Sequence, residues 1–447
     1  MPPRTKSGPT LPNELLFSVF ESLSKDRHSL YNLLFLSRSY RITIERLLYA
    51  EMTDWIYTAS HDGFVATITQ NARLASYVRT FGCIERMGSA QERDSVSHPG
   101  EMAAYWSTIV GALKLMTGLG VFIINLHVPV QLPPIERLLH ALENMRDLHT
   151  LFWGPSIYDP DATPCLVSCL RTRLPQLRVL HLDVCVEIDR MLVLGDGACP
   201  RLESVGGAWQ DILCMLSGRK RPIGSLTWFK SPWDEPLMQT STLGNATEKT
   251  LNENLGHVLR SLEELYLYHC FLGLVLAEPP VHALPFFFDR CPNLRHLHAE
   301  IDQVVAHTHA LGTSFPKLRT LTLDTSENAD ATQWATPEAL TAIFETCEKL
   351  DTIDVGPCEI WYHSERPLDL LFVYERWVPI RVRRQEGEGR EDGDEDEGEK
   401  GEKNASAGAL SNKLEIVSRG RVFVDGSSMH RYLLLFNVTK KDRRVLA

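Results

Sequence analysis

Two spacings of apolar residues divide the chain. In residues 11–52 the large apolar side chains recur three and four positions apart, the period of a helix face. Pro12 suits a first helical turn, and Glu14 sits where the helix dipole favours an anion. Leu15, Leu16, Val19, Phe20 and Leu23 follow on one side. Ser24-Lys25-Asp26 interrupts the run, and Asp26 is placed to cap a second helix carrying Leu30, Leu33, Leu34 and Leu36. Ser37 then opens a third, with Tyr40, Ile44, Leu47 and Leu48 on one side. Three such short helices bury too little surface to be stable alone, so the pattern demands cover from the following domain, a partner, or both.

From residue 78 onwards the spacing changes. The phrase Leu-x-x-Leu-x-Leu is clearest at Leu177, Leu262 and Leu318, and weaker at Leu148, Leu294 and Leu350. Further copies start at Val78, Leu119, Leu202 and Ile223, at intervals of 21 to 41 residues. Just upstream stand Leu174-Pro175-Gln176, Cys199-Pro200-Arg201, Cys291-Pro292-Asn293, Phe315-Pro316-Lys317 and Cys347-Glu348-Lys349. This lead-in fixes the backbone between a helix and a new strand. Helical stretches precede several copies, Ile135–Met145 and Pro337–Thr346 among them. One helix and one strand per repeat predict a stacked α/β solenoid with a parallel sheet on its concave face. A doubly wound α/β domain also alternates helix and strand, but it leaves the recurrent lead-in unexplained. Strand side chains alternate, so positions four and six of each phrase point into the core. Positions three, five and seven face the concave side: His181 and Asp183; Glu264, Tyr266 and Tyr268; His296 and His298; Thr320, Thr322 and Asp324. Tyrosines there are natural anchors for a protein partner. After Val355 the repeat fades; Leu368–Trp377 reads as a last helix, and Leu414–Val417, Arg421–Val424 and Tyr432–Val438 as short capping strands.

Charge changes this picture in one place. The net charge is −11, and residues 386–403 alone carry −7. The acidic stretch 386–409 should be a disordered insertion, as should residues 1–10. No basic stripe offsets it, so nucleic acid is not an expected partner. No run of about 18 apolar residues predicts a membrane span, and the first ten residues lack the apolar core of a signal peptide. The 10 cysteines form no Cys-x-x-Cys pair, and several sit at apolar repeat positions, where a thiol acts as a small hydrophobe. A cytoplasmic or nuclear protein is expected.

The N-terminal pattern carries a resemblance. The Leu11-Pro12-x-Glu14 opening, the Leu15-Leu16-x-x-Val19-Phe20-x-x-Leu23 helix, Ser37-Arg38-x-Tyr40-Arg41 and Leu47-Leu48-Tyr49 resemble the F-box. Tyr40 stands where many members have tryptophan. The later phrases resemble the degenerate leucine-rich repeats that follow the F-box in many fungal proteins. The resemblance implies a Skp-family adaptor bound through Leu11, Pro12, Glu14, Leu15, Leu16, Val19, Phe20 and Leu23, and through it a cullin. It implies that residues 11–52 are the docking module, residues 53–380 a right-handed leucine-rich-repeat solenoid that binds a target protein, and residues 413–440 its cap.

No catalytic signature accompanies these patterns. Gly-x-Ser-x-Gly, His-Glu-x-x-His and phosphate-loop motifs are missing from the sequence. His296, His298, His307 and His309 form the one dense histidine group, without the convergence a zinc site needs. No catalytic, cofactor or metal residue is expected. A scaffold whose N-terminal helices only cap the solenoid, and an enzyme on an α/β domain, are the alternatives.

Overall fold

The computed structural model describes residues 13–23, 26–35, 38–54, 56–84, 99–126, 135–154, 162–172, 174–182, 194, 197–207, 209–216, 221–230, 255–269, 284–325, 336–362, 370–383 and 412–425. Two compact units divide it: one contains the described residues of Met1–Val281, the other those of His282–Ile360 and Phe372–Val424.

The first unit opens with helices α1 (Asn13–Ser22), α2 (Arg27–Leu33) and α3 (Arg41–Ala50). Asp26 caps α2 as expected, its carboxylate accepting the Ser29 N–H at 3.0 Å. The third helix begins at Arg41, with Tyr40 at its N-cap position; Ser37 lies outside the described residues. After β1 (Glu51–Met52) come α4 (Ala59–Gln70) and α5 (Ala72–Ala75), then β2 (Thr80–Ile84), β3 (Val121–Asn125), β4 (Thr150–Trp153), β5 (Val179–Leu182), β6 (Ser204–Gly207), β7 (Ser225–Lys230) and β8 (Glu264–His269). Each pairs in parallel with the next, in chain order. Helices Pro99–Leu115, Ile135–Leu142 and Ala162–Thr172 supply the crossovers and stack one on the next.

The second unit repeats the design. Strands β9 (His296–Glu300), β10 (Thr320–Asp324) and β11 (Thr352–Tyr362) are parallel neighbours, with helices Ile301–Ala306, Thr308–Ser314 and Pro337–Thr346 between them. Strands β12 (Leu370–Arg383) and β13 (Asn412–Asp425) continue the sheet order. The expected helix over Leu368–Trp377 is therefore a strand in its described part, from Leu370 on. Val373, Tyr374, Trp377, Val378 and Ile380 are branched or aromatic, and that preference outweighs the leucine spacing. Arg376 secures it, forking onto both oxygens of Asp354 on β11 at 2.7 Å each. The two short strands expected within Leu414–Val424 are one strand. Tyr432–Val438, the stretch 386–409 and residues 1–10 lie outside the described residues.

The fold is thus of the α/β leucine-rich-repeat type, and its strand phase follows the sequence phrase. Strands β2 to β11 each begin two residues after the lead apolar residue. The ten leads, from Val78 to Leu350, are at most 3 % exposed. The turn before most leads has one form: the lead N–H donates to the carbonyl three residues back, as Leu202 to Cys199, Leu294 to Cys291 and Leu318 to Phe315, each at 3.1 Å. Proline between them presets the turn backbone. One residue past the lead, a single carbonyl accepts two N–H groups of the following repeat. Arg79 O takes Gly120 and Val121, Gly120 O takes His149 and Thr150, His149 O takes Arg178 and Val179, and Arg178 O takes Glu203 and Ser204. Arg295 O takes Arg319 and Thr320, and Arg319 O takes Asp351 and Thr352, in the second unit. Beneath these carbonyls Phe81, Phe122, Leu151, Leu180, Val205, Leu226 and Leu265 form one fully buried row.

Two predictions arise from this packing. Gly207 has φ +152, and a Cβ there would stand 1.9 Å from the Leu182 carbonyl. Backbone cannot yield as a side-chain tip can, so Gly207→Ala should cost about 1–3 kcal/mol in denaturant unfolding. The second concerns His61, whose Nε2–H donates to Gly82 O at 3.2 Å while Nδ1 accepts from the Tyr105 hydroxyl at 3.0 Å. Burial lowers its pKa from 6.5 to about 4, against the raising effects of the Gly82 bond and Asp54. The unfolded chain takes up this proton as pH falls through its ordinary value, the folded protein only near the lowered one. Stability should therefore fall across that window by roughly 3 kcal/mol from this group. Urea titrations of wild type and His61→Gln on both sides of the window measure it: the variant should lose less stability on acidification.

Candidate functional site

Helix α1 is apolar around most of its circumference, which a helix tolerates only when it is covered on more than one side. One side faces inward. Phe20, Leu30 and Ile44 form a closed cluster, with Leu16, Leu23, Leu33, Leu34, Tyr40, Leu47 and Leu48 packed against it. Phe20 and Tyr40 meet edge to face at 5.6 Å, so the Tyr40 ring closes one side of this cluster. Phe20 is only 5 % exposed and serves the module's own core rather than an adaptor, correcting the expectation for it. Leu16 and Leu23 lean the same way.

The other sides face outward. Leu15 (54 % exposed), Val19 and Phe17 stand on α1, Tyr31 and Phe35 (72 %) on and just after α2, and Ile42 (55 %) on α3. Among the described residues these six are the exposed large apolar side chains, and all lie between residues 15 and 42, in the three-helix module. Tyr31 and Phe35 pack edge to face at 5.2 Å, making a ready aromatic ledge. Of the residues expected to meet an adaptor, Leu15 and Val19 are on this surface. Leu11 and Pro12 lie outside the described residues, as does the Glu14 side chain. Phe17, Tyr31, Phe35 and Ile42 escaped the sequence reading because they fall off the leucine spacing that defines the inner face.

A polar joint ties the module to the first repeat. The Glu45 carboxylate is nearly buried and accepts from Arg73 Nη1 at 2.6 Å and Arg41 Nε at 2.9 Å. The Arg73 hydrogen bond holds that carboxyl below its ordinary value, against desolvation. Arg27 donates to the Glu51 carbonyl and lies 3.8 Å from Asp54. Helix α3 is thereby fixed to α5, and α2 to the strand that starts the sheet.

The concave face differs from expectation. His181 is fully buried: its ring stacks on Phe152 at 5.8 Å and lies over Gly206, where a Cβ would come within 2.3 Å of Nδ1. In-register strands bring these three positions side by side, and the missing side chain of glycine lets the imidazole lie down along the sheet. In the second unit His298, Thr322 and Asp324 are also buried, with His298 Nε2 3.5 Å from the Asp324 carboxylate. These four are interior residues, not surface contacts. Glu264, Tyr266, His296 and Thr320 remain half-buried, and the Tyr266 hydroxyl donates to Glu264 at 3.3 Å. Asp183 and the Tyr268 side chain lie outside the described residues.

The arrangement offers little chemistry. Among the described residues no group of three or more His, Cys, Asp or Glu side chains is placed to hold a metal ion. Burial pushes the Cys199 and Cys291 thiols up to about 12 and Cys347 to about 11, so none is a ready nucleophile. An open groove between the crossover helices is lined by Lys114, Glu136, Arg137, His140, Glu143 and Cys165, whose Sγ lies 3.8 Å from Glu136. None of the described helices is long and apolar enough to cross a membrane.

No protein-family model matches the sequence, and no curated protein matches it. Among solved structures, the chain is similar to the leucine-rich repeat-containing protein LegL7 from Legionella pneumophila. That match has a TM-score of 0.39 and 14% identity, covering 68% of this chain and 89% of that one.

Proposed function

We propose that this chain is the target-recognition subunit of a Skp–cullin–F-box ubiquitin ligase, acting in the cytoplasm or nucleus. Its three N-terminal helices dock on a Skp-type adaptor, and the repeat array holds a target protein. One observation carries the reading: the well-exposed large apolar side chains among the described residues are confined to the module that resembles the F-box. Covering such a side chain is worth about 1.5–3 kcal/mol gross. Association costs about 4–15 kcal/mol, so Leu15, Phe17, Val19, Tyr31 and Phe35 on one small module are enough anchors to offset it. The repeats add reach rather than chemistry. A tethered target has a raised effective concentration at the transfer enzyme, and no residue of this chain takes part in the bond-making step. Of the residues expected to meet a target, Glu264 and Tyr266 in the first unit, and His296 and Thr320 in the second, are the half-exposed ones.

A second reading has an observation of its own. The closed Phe20–Leu30–Ile44 cluster and the Glu45 joint make the helices a competent cap for the first repeat, as a scaffold that never meets a cullin would need.

Co-purification of the full chain with a Skp adaptor decides between them. Wild type should bind. Leu15→Asp with Val19→Asp changes two exposed positions, so thermal stability should hold while adaptor affinity falls at least about tenfold, or about 1.4 kcal/mol. A wild-type chain that ignores the adaptor, or a double variant that binds it equally well, overturns the ligase reading.

A further inference from the structure

The outer arc of α3 combines an apolar side chain with a concentration of guanidinium groups. Ile42 is 55 % exposed, and Arg46, one turn further along α3, is exposed too, as is Arg38 in the turn that leads into the helix. Arg41 and Arg73 converge on Glu45, and Arg46 and Arg73 both lie over the Tyr77 ring, at 5.5 and 5.7 Å. These shared partners draw Arg41, Arg46 and Arg73 from α3 and α5 into one surface. The acid among them, Glu45, is 5 % exposed and occupied by two of the arginines, so solvent meets mainly positive charge and the Ile42 side chain. The Tyr77 ring holds two guanidinium planes out of the flexible ensemble that surface arginines usually explore, which lowers the ordering cost of binding.

We propose that this surface is a second docking site, separate from the Leu15–Val19 stripe, for a carboxylate-rich protein segment bearing one apolar side chain. Planar guanidinium groups match carboxylates two bonds at a time, and Ile42 gives the apolar residue a seat. The charge of the site selects acidic partners, and its apolar centre separates a protein segment from a polyanion bound by charge alone.

The test uses the full chain and a fluorescein-labelled Glu/Asp-rich peptide with a central leucine, read by anisotropy. Binding should weaken about tenfold as salt rises to roughly 0.5 M. It should also weaken at least tenfold in Arg38→Glu with Arg46→Glu, and measurably when the leucine becomes serine. A photo-crosslinker in the peptide should label α3 or α5 in the wild-type chain, which checks the site without any substitution. Leu15→Asp with Val19→Asp should leave peptide binding unchanged, so failure here is distinct from failure to bind an adaptor. The proposal falls if the peptide does not bind at low salt, if the arginine variant binds equally well, or if label lands elsewhere. It falls too if phosphatidylserine vesicles or single-stranded RNA bind this surface more tightly than the peptide.

Discussion

One backbone hydrogen-bond arrangement underlies the repeat architecture: the carbonyl just before a strand accepts two N–H groups from the repeat that follows. It recurs from Arg79 to Gly120, His149 and Arg178, and again at Arg295 and Arg319. A shared carbonyl pins the start of each strand to its neighbour's start. Register is then no longer free, and Phe81, Phe122, Leu151 and Leu180 must line up as one buried row. A slip of one residue would turn that row outward, so the leucines and the carbonyls enforce the same answer.

The N-terminal helices obey a different logic. Their inner face is complete, since Phe20, Leu30 and Ile44 close on one another without help. Their outer face is not, and the Glu45 joint prevents it from folding back by holding α3 against α5. The module is therefore presented in a fixed attitude to the repeats beside it. Arg73 serves twice in this, bonding Glu45 while lying over Tyr77.

Strand positions were legible in the sequence because one apolar lead and one turn recur with little variation. The proline of Leu174-Pro175-Gln176-Leu177 announces a turn, and the strand opens two residues after the leucine. The exposure of the concave face was not legible. Alternation assigns His181 to a face, but it says nothing about Gly206 next door, whose missing side chain lets the imidazole lie flat. That neighbour is 25 residues away in sequence, and only the register brings the two together. Strand β12 was hidden for a related reason: Leu368 and Leu371 mimic a helical period, while the partner that holds the strand, Asp354, lies on another element. On the N-terminal helices, leucine spacing located the inner face well and left Phe17, Tyr31, Phe35 and Ile42 unassigned, since an outer apolar face has no period of its own.

The shared carbonyl has an evolutionary corollary. It joins only the first residues of adjacent strands, so whatever lies between the end of one strand and the next turn can lengthen or shorten without disturbing the seam. Lead-to-lead intervals from 21 to 41 residues already sample that freedom. A lineage could therefore splice new loops into this array, and acquire new tastes in what it grips, while leaving the spine untouched.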